Sequence, residues 1–200
     1  MRCIRTLFPS ELSRYEAHLL RLNHADRRLR FGHPIADDAV RAHVAGLDLA
    51  ERDRILAHFD DAGRVVGAVH IALPAPAAPT AQKAAEFAFS VDDAMRGHGL
   101  GGHLFHRAEI WARNRAIRRA YLYFLTENHA IRALARKAGM VTHVEAGECE
   151  ARMDLLPATP FTLLSEMTAE RIAVLEYSSK PSWSEAFKRV AWPQWGGAAA

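Results

Sequence analysis

The sequence predicts an α/β (α+β) domain in which strands and helices form one mixed layer. Three observations predict it: a hairpin pattern at 54–73, a strand, glycine-rich turn and long helix at 84–114, and a pair of closing strands at 140–155. The chain has 200 residues, 50% of them hydrophobic. This is enough to bury the core of one domain, and a second full-sized domain is not expected.

The first elements alternate between strand and helix patterns. Residues 2–8 predict an edge strand, and a helix with an apolar face is expected to open at Pro9. Asp37 is expected to cap a further short helix. The hairpin at 54–73 follows, and the proline-rich stretch at 74–79 is interpreted as a surface connection.

The central strand and the helix after it contain most of the candidate functional residues. The strand at 84–91 alternates, so Glu86 projects with small side chains on the face opposite Phe87. A glycine-rich turn then leads into a helix from about Gly99 to Asn114 with one apolar stripe.

The rest of the layer continues in the same alternation. A buried strand is predicted at 120–125 and a helix at 128–138, ended by Gly139. Two closing strands follow at 140–155. Residues 1–157 are therefore predicted to form the domain.

The tail at 158–200 is predicted to be a C-terminal helical extension. Thr168 is expected to cap one helix, and Ser182 with Glu185 forms a capping box for another. The last 18 residues hold three of the four tryptophans, namely Trp183, Trp192 and Trp195. Exposed aromatic side chains in that number are unfavourable, so we expect them to dock on this chain or, in a homodimer, on a second copy.

Composition narrows the function classes. The 26 Lys and Arg against 23 Asp and Glu leave a net charge of +3, which suits a small anionic ligand better than nucleic acid. Cys3 and Cys149 are too few for a disulfide framework or a cysteine zinc site, so a cytoplasmic setting is expected. No apolar run reaches the ~20 residues of a membrane span, and the N-terminus lacks the core of a signal peptide.

The glycine-rich turn predicts an anion site. It reads Arg96, Gly97, His98, Gly99, Leu100, Gly101 and Gly102. Glycines let ligand oxygens approach main-chain amides, and a helix N-terminus offers unpaired N–H groups and a positive dipole end. A diphosphate is the expected ligand.

One alternative is a dinucleotide-binding unit, because Gly97, Gly99 and Gly102 also match the G-x-G-x-x-G fingerprint. That unit needs an acidic residue about 20 residues further on. No Asp or Glu lies between Glu109 and Glu127. The spacing therefore disfavours this alternative.

Two separated motifs resemble the GNAT superfamily of acyl-CoA-dependent N-acetyltransferases. The turn from Arg96 to Gly101 reads R-x-x-G-x-G, and Asn128 is followed eleven residues later by Gly139. The resemblance covers about 19–155. It implies a GNAT fold with a mixed, mostly antiparallel central sheet flanked by helices, and acetyl-CoA as the co-substrate.

Within the superfamily, three stretches look like the acetyltransferase domain of bacterial protein lysine acetyltransferases: 28–32, 84–93 and 134–139. This resemblance implies that Glu86 is the catalytic base. It also implies cofactor contacts from the turn (Arg96, Gly97, His98, Gly99, Leu100 and Gly101), from Phe89 and Val91 on the strand before it, and from Asn128. Many relatives place a tyrosine where this chain has Ala135, so no general acid is assigned.

The predicted reaction is acetyl transfer to a primary amine. A protein lysine is the first expectation and a small-molecule amine the second. A non-catalytic acyl-CoA sensor is the alternative from another class. The series His103, His106 and Glu109 is interpreted as a solvated helix face, and no metal is predicted.

Overall fold

The computed structural model describes residues 4–74 and 83–179, which form a seven-stranded sheet flanked by helices. The strands are β1 (Ile4–Thr6), β2 (Asp53–Phe59), β3 (Val65–Ala72), β4 (Ala84–Val91), β5 (Arg119–Leu125), β6 (Val141–Glu145) and β7 (Glu148–Asp154). The helices are α1 (Leu12–Arg21), α2 (His24–Phe31), α3 (Asp37–Ala45), α4 (Leu100–Arg113), α5 (His129–Lys137) and α6 (Pro160–Ser179). The mixed α/β prediction is confirmed.

The strand order is β1-β2-β3-β4-β5-β7-β6, and every neighbouring pair is antiparallel except β4 and β5. The parallel pair is short: it begins at Ala84 with Arg119 and ends at Glu86 with Tyr121. The antiparallel β3–β4 hairpin rules out the dinucleotide-binding unit, whose sheet is parallel at the glycine turn. Beyond Glu86 the two central strands are unpaired with each other.

The sheet carries a hydrophobic cluster on each face. Along β4, Phe87 and Phe89 are buried against α4, where the ring of Phe105 stacks with Phe89 and meets Phe87 edge-on. The opposite face of the sheet packs against α1 and α3 through residues such as Leu19 and Val44. This alternation places Glu86 on the α1 side of β4, as the period of two requires.

The start of α4 rests directly on β3. A Cβ added to Gly67 would lie 2.6 Å from Cδ2 of Leu100 and 3.6 Å from Cδ1 of Leu104. Because both leucines are buried, the first turn of α4 sits at a distance from the sheet that only glycine at position 67 permits.

Helix α6 docks on α4 and the edge strand β1. Its Glu170 carboxylate accepts from the Thr6 hydroxyl at 3.1 Å and pairs with Arg107 at 3.2 Å. The prediction that Thr168 caps a helix is wrong, because Thr168 lies inside the continuous α6. The hydroxyl of Thr159 accepts from the amide of Thr162 at 3.2 Å, two residues into the helix. The predicted capping box and the three C-terminal tryptophans lie outside the described residues.

Two further details correct the sequence expectations. Ala36, not Asp37, is the N-cap of α3, and the Asp37 carboxylate pairs with Arg27 at 2.5 Å instead. Helix α2 was not predicted, although it begins after the Asn23 cap and ends at Gly32 in the left-handed region. In the described part of the chain, no helix is long and apolar enough to cross a membrane.

Candidate active site

A cleft of about 490 Å³ opens where β4 and β5 cease to pair. Its walls come from the second half of β4, the end of β5, helix α2, the turn before α4 and one face of α5. The strand β4 beyond Glu86 is hydrogen-bonded to β3 on one side, while its other edge faces this cleft. Such an edge has backbone N–H and C=O groups that an extended ligand can pair with.

The glycine turn forms one end of the cleft. Gly97 and Gly99 adopt φ of 73° and 79°, a region that side chains with a Cβ rarely occupy. The first amide bonded within the helix is that of His103, which donates to the Gly99 carbonyl at 3.2 Å. The amides of Leu100 and Gly101 precede it at the N-terminus of α4, and a Cβ added to Gly101 would meet no atom within 4 Å. This end therefore offers backbone donors with open space above them.

Arg96 is held by neighbours within the protein. Its guanidinium pairs with Asp26 of α2 at 2.7 Å and with Asp93 at 3.4 Å, and it donates to the Val91 carbonyl at 3.2 Å. The hydrogen bond to Asp26 in particular raises the pKa of Arg96 above its usual value. Arg96 lines the cleft and fastens α2 to the turn.

Asn128 is buried at the opposite wall. Its side-chain oxygen accepts from the amide of Ile131 at 3.2 Å, which makes it the N-cap of α5. Its side-chain nitrogen donates to the Leu29 carbonyl of α2 at 3.4 Å. Asn128 also lines the cleft, so the capping role and a cofactor-facing position coexist.

Eight of the predicted cofactor residues line the cleft together: Phe89, Val91, Arg96, Gly97, Gly99, Leu100, Gly101 and Asn128. His98 does not line it, because its ring turns back and Nδ1 lies 2.6 Å from the Arg96 carbonyl oxygen. The structure thus brings the two sequence motifs, 32 residues apart from Arg96 to Asn128, to facing walls.

Glu86 lies at the point where the two central strands separate. It is the last residue of β4 paired with β5, it is partly exposed, and the next residue, Phe87, lines the cleft. Its carboxylate is close enough to the Tyr123 phenol to act on it electrostatically. Glu86 therefore does not line the cleft itself but lies at its rim, one residue before the first lining residue of β4.

Two tyrosines of β5 at this rim were not singled out by the sequence analysis. The rings of Tyr121 and Tyr123 stack with centroids 6.1 Å apart. Burial, together with the charge of Glu150 and a hydrogen bond to its carboxylate, raises the pKa of Tyr123 above 10.0, so this phenol is protonated at neutral pH. The alternation in β5 could have found them, because it places both tyrosines on the same face as Glu86.

Ala135 is fully buried in the hydrophobic cluster beneath α5 and does not line the cleft. A methyl group in that place donates no proton.

On the outer face of α4, His106 Nδ1 lies 4.0 Å from the Glu109 carboxylate, and the His106 side chain is 68% exposed. Among the described residues, no group of three or more His, Cys, Asp or Glu side chains is arranged to hold a metal ion.

Comparison with known proteins agrees with this geometry. A sequence model described as the acetyltransferase (GNAT) family matches residues 18–140. The GNAT domain of PAT from S. lividans is similar in structure, with a TM-score of 0.64, 25% identity, and coverage of 76% of this chain and 89% of that one. Among curated proteins, none matches the chain.

Two more solved structures share the fold. A GNAT-family acetyltransferase from Streptococcus pneumoniae has a TM-score of 0.58 at 19% identity, covering 76% of this chain and 98% of that one. RimL, a ribosomal alpha-N-protein acetyltransferase in complex with coenzyme A, has a TM-score of 0.58 at 16% identity, covering 76% and 93%.

Proposed function

Because the chain belongs to the GNAT family of acetyltransferases, we propose that it transfers the acetyl group of acetyl-CoA to a primary amine, with a protein lysine as the acceptor. The observation that carries the proposal is the cleft between β4 and β5, which the glycine turn lines and whose open β4 edge begins beyond Glu86. The candidate anion site and the candidate base therefore flank one open strand edge.

The cofactor is proposed to bind through the backbone. The free amides at the start of α4, near Gly99 and Gly101, suit the diphosphate, because they combine donors, space and the positive end of the helix dipole. The open edge of β4 from Phe89 to Val91 suits the amide groups of the pantetheine arm. Asn128 holds α5 and α2 around that arm.

Glu86 is proposed to accept a proton from the acceptor amine. An amine attacks a thioester only when it is neutral, and a free lysine with a pKa near ~10.4 is almost fully protonated at neutral pH. Glu86 takes one proton of the ammonium directly or through one water, and the neutral nitrogen attacks the carbonyl carbon. The carbon–sulfur bond then breaks, and the second proton that the nitrogen loses as the amide forms passes through water to the leaving thiolate. Because Ala135 offers no proton, the thiolate leaves without an acid from that position.

A protein lysine is favoured over a small amine by one comparison. The GNAT domain of S. lividans PAT is similar to this chain at 25% identity, and the stretches that resemble protein lysine acetyltransferases contribute residues to this cleft. The rim carries Glu86, Glu150 and stacked tyrosines, which together attract a cationic side chain.

The test measures release of the coenzyme thiol from acetyl-CoA with a lysine-rich protein, a polyamine and free amino acids as acceptors. We expect turnover with the protein acceptor and acetyl-lysine in its peptides. Turnover with the polyamine but not with the protein would show that the acceptor is a small amine. Binding of acetyl-CoA without turnover on any amine would favour the non-catalytic acyl-CoA sensor. A cytoplasmic setting, a homodimer and the boundary between 1–157 and 158–200 stay predictions.

A further inference from the structure

A second group of polar side chains meets the cleft from the α1 side of β4. Ser90 Oγ lies 2.9 Å from Nε2 of His18, and Nδ1 of the same ring lies 2.8 Å from Oδ1 of Asp92. The residues come from α1 and from the end of β4, so the fold assembles them across 72 residues of sequence. A serine, a histidine and a carboxylate in this order are the parts of a nucleophilic triad.

The environment of the group fits that role. His18 is fully buried and Ser90 is 6% exposed, yet Ser90 lines the cleft. Asp92 is held by Arg21, whose guanidinium lies 2.9 Å from its second oxygen. Burial acts to raise the pKa of Asp92, but the contacts with His18 and Arg21 hold it below 3.8, so the carboxylate is ionised at neutral pH. Nδ1 of His18 is close to the carboxylate but is not aligned for a hydrogen bond, so Asp92 acts on the ring through its charge. That charge favours a proton on Nδ1 and leaves Nε2 to accept the serine proton.

We propose that Ser90 is a nucleophile that takes the acyl group of an acyl-CoA and passes it to water, so that the protein hydrolyses acyl-CoA slowly when no amine is present. The proposal rests on acyl-CoA occupying the cleft as described above. It adds a second fate for the acyl group, one that does not use Glu86.

The chemistry balances without any further reactant. Ser90 Oγ attacks the thioester carbonyl carbon while His18 Nε2 takes its proton, and the carbon–sulfur bond breaks as His18 returns that proton to the thiolate. Water then attacks the serine ester with His18 as the base, and acetic acid and free Ser90 result. The unpaired edge of β4 next to Ser90 supplies backbone N–H groups for the oxyanion.

A purely structural bond between Ser90 and His18 would give the same distances, so the experiment must detect nucleophilicity. The wild-type protein is treated with a fluorophosphonate, which labels activated serines, and the modified residue is located by peptide mass spectrometry. Acceptor-free release of coenzyme A from acetyl-CoA is measured in parallel for the wild type, Ser90→Ala and His18→Gln. Ser13→Ala is the matched control, because Ser13 lies on the exposed side of α1.

We expect labelling at Ser90 that acetyl-CoA suppresses, and acceptor-free release at least about tenfold faster in the wild type and Ser13→Ala than in Ser90→Ala. Amine-dependent acetylation by the wild-type protein is measured in the same preparations, so that a failure of this proposal is distinguished from a failure of the acetyl transfer proposed above. An unlabelled Ser90, with equal acceptor-free release in the wild type and Ser90→Ala, would overturn the proposal. Because the labelling uses the wild-type protein, this outcome does not depend on the folding of any variant.

Discussion

The two ends of the cleft are built from different parts of the chain. At the glycine turn, the donors are the backbone amides near Gly99 and Gly101 at the start of α4, and the Arg96 guanidinium is paired with Asp26. At the rim where β4 and β5 separate, the side chains of Glu86 and of two tyrosines from β5 carry the polarity. The glycine turn, whose donors are backbone amides, suits the constant diphosphate of coenzyme A. The rim, whose polar groups are side chains, can be adapted by substitution to different acceptors.

The largest expected effect tests the side-chain end. Glu86→Gln keeps the shape of the side chain but removes the base, so kcat for amine acetylation should fall by about 100-fold while the KM for acetyl-CoA stays the same. Steady-state kinetics with both substrates varied measures the two constants. Glu51→Gln, an exposed glutamate away from the cleft, should behave as the wild type. Equal kcat in Glu86→Gln and the wild type would remove Glu86 from the mechanism.

The next effect tests the backbone end. Gly101→Asp places a carboxylate where the diphosphate is proposed to bind, so the affinity for coenzyme A should fall by about tenfold, while the helix start tolerates the acidic side chain. His106→Asp adds the same charge to the exposed face of α4 and is the control. Calorimetry measures both Kd values. Similar affinities in the two variants would mean that the diphosphate binds elsewhere.

Tyr123→Phe is expected to act on the acceptor alone. The phenol is protonated at neutral pH and lies across the β5–β7 pair from Glu150, so its loss removes one hydrogen-bonding group from the rim. We expect the KM for the acceptor to rise by about fivefold, the equivalent of about 1 kcal/mol, and the Kd for coenzyme A to stay constant. A weaker Kd for coenzyme A in Tyr123→Phe would contradict the assignment of cofactor binding and acceptor binding to different ends of the cleft.

The smallest effect concerns the strand that joins the two ends. The folded pKa of Asp92 lies below 3.8, so Asp92 contributes stability above that pH and loses it as the pH falls through the folded pKa. The difference in unfolding free energy between the wild type and Asp92→Asn should be about 1 kcal/mol at neutral pH and should shrink in acid. Denaturant titrations from pH 7 to pH 3 measure it. Asp38→Asn, whose side chain is 99% exposed, should give a near-zero difference throughout.

The same contrast explains what the sequence could predict. The glycine turn was readable because positive φ angles and a helix start need glycine in a fixed local order, and Gly97 and Gly99 have those angles. The strands of the sheet were predictable from their period of two. The turn, together with Asn128 and Gly139, resembles the family whose model matches residues 18–140.

The polar side chains at the rim were harder to predict because the residues that meet there are distant in sequence. Tyr123 meets Glu150 only through the register of β5 with β7. Ser90 meets His18 only once α1 packs on the sheet. Local patterns contain no information on either pairing. Helix capping failed for a related reason: Asp37 has the right composition for an N-cap, but Arg27 of the neighbouring helix binds its carboxylate.

Gly67 has a consequence for engineering. A methyl group at this position would push on Leu100 from beneath, and Leu100 lines the cleft at the very start of α4. The distance of the first turn of α4, with its amide donors, from the sheet is thus set by Gly67 of β3, which does not line the cleft. A substitution of Gly67 would shift the start of α4 and so weaken cofactor binding from a distance. A measurement of affinity alone would not distinguish this effect from a defect in the glycine turn itself.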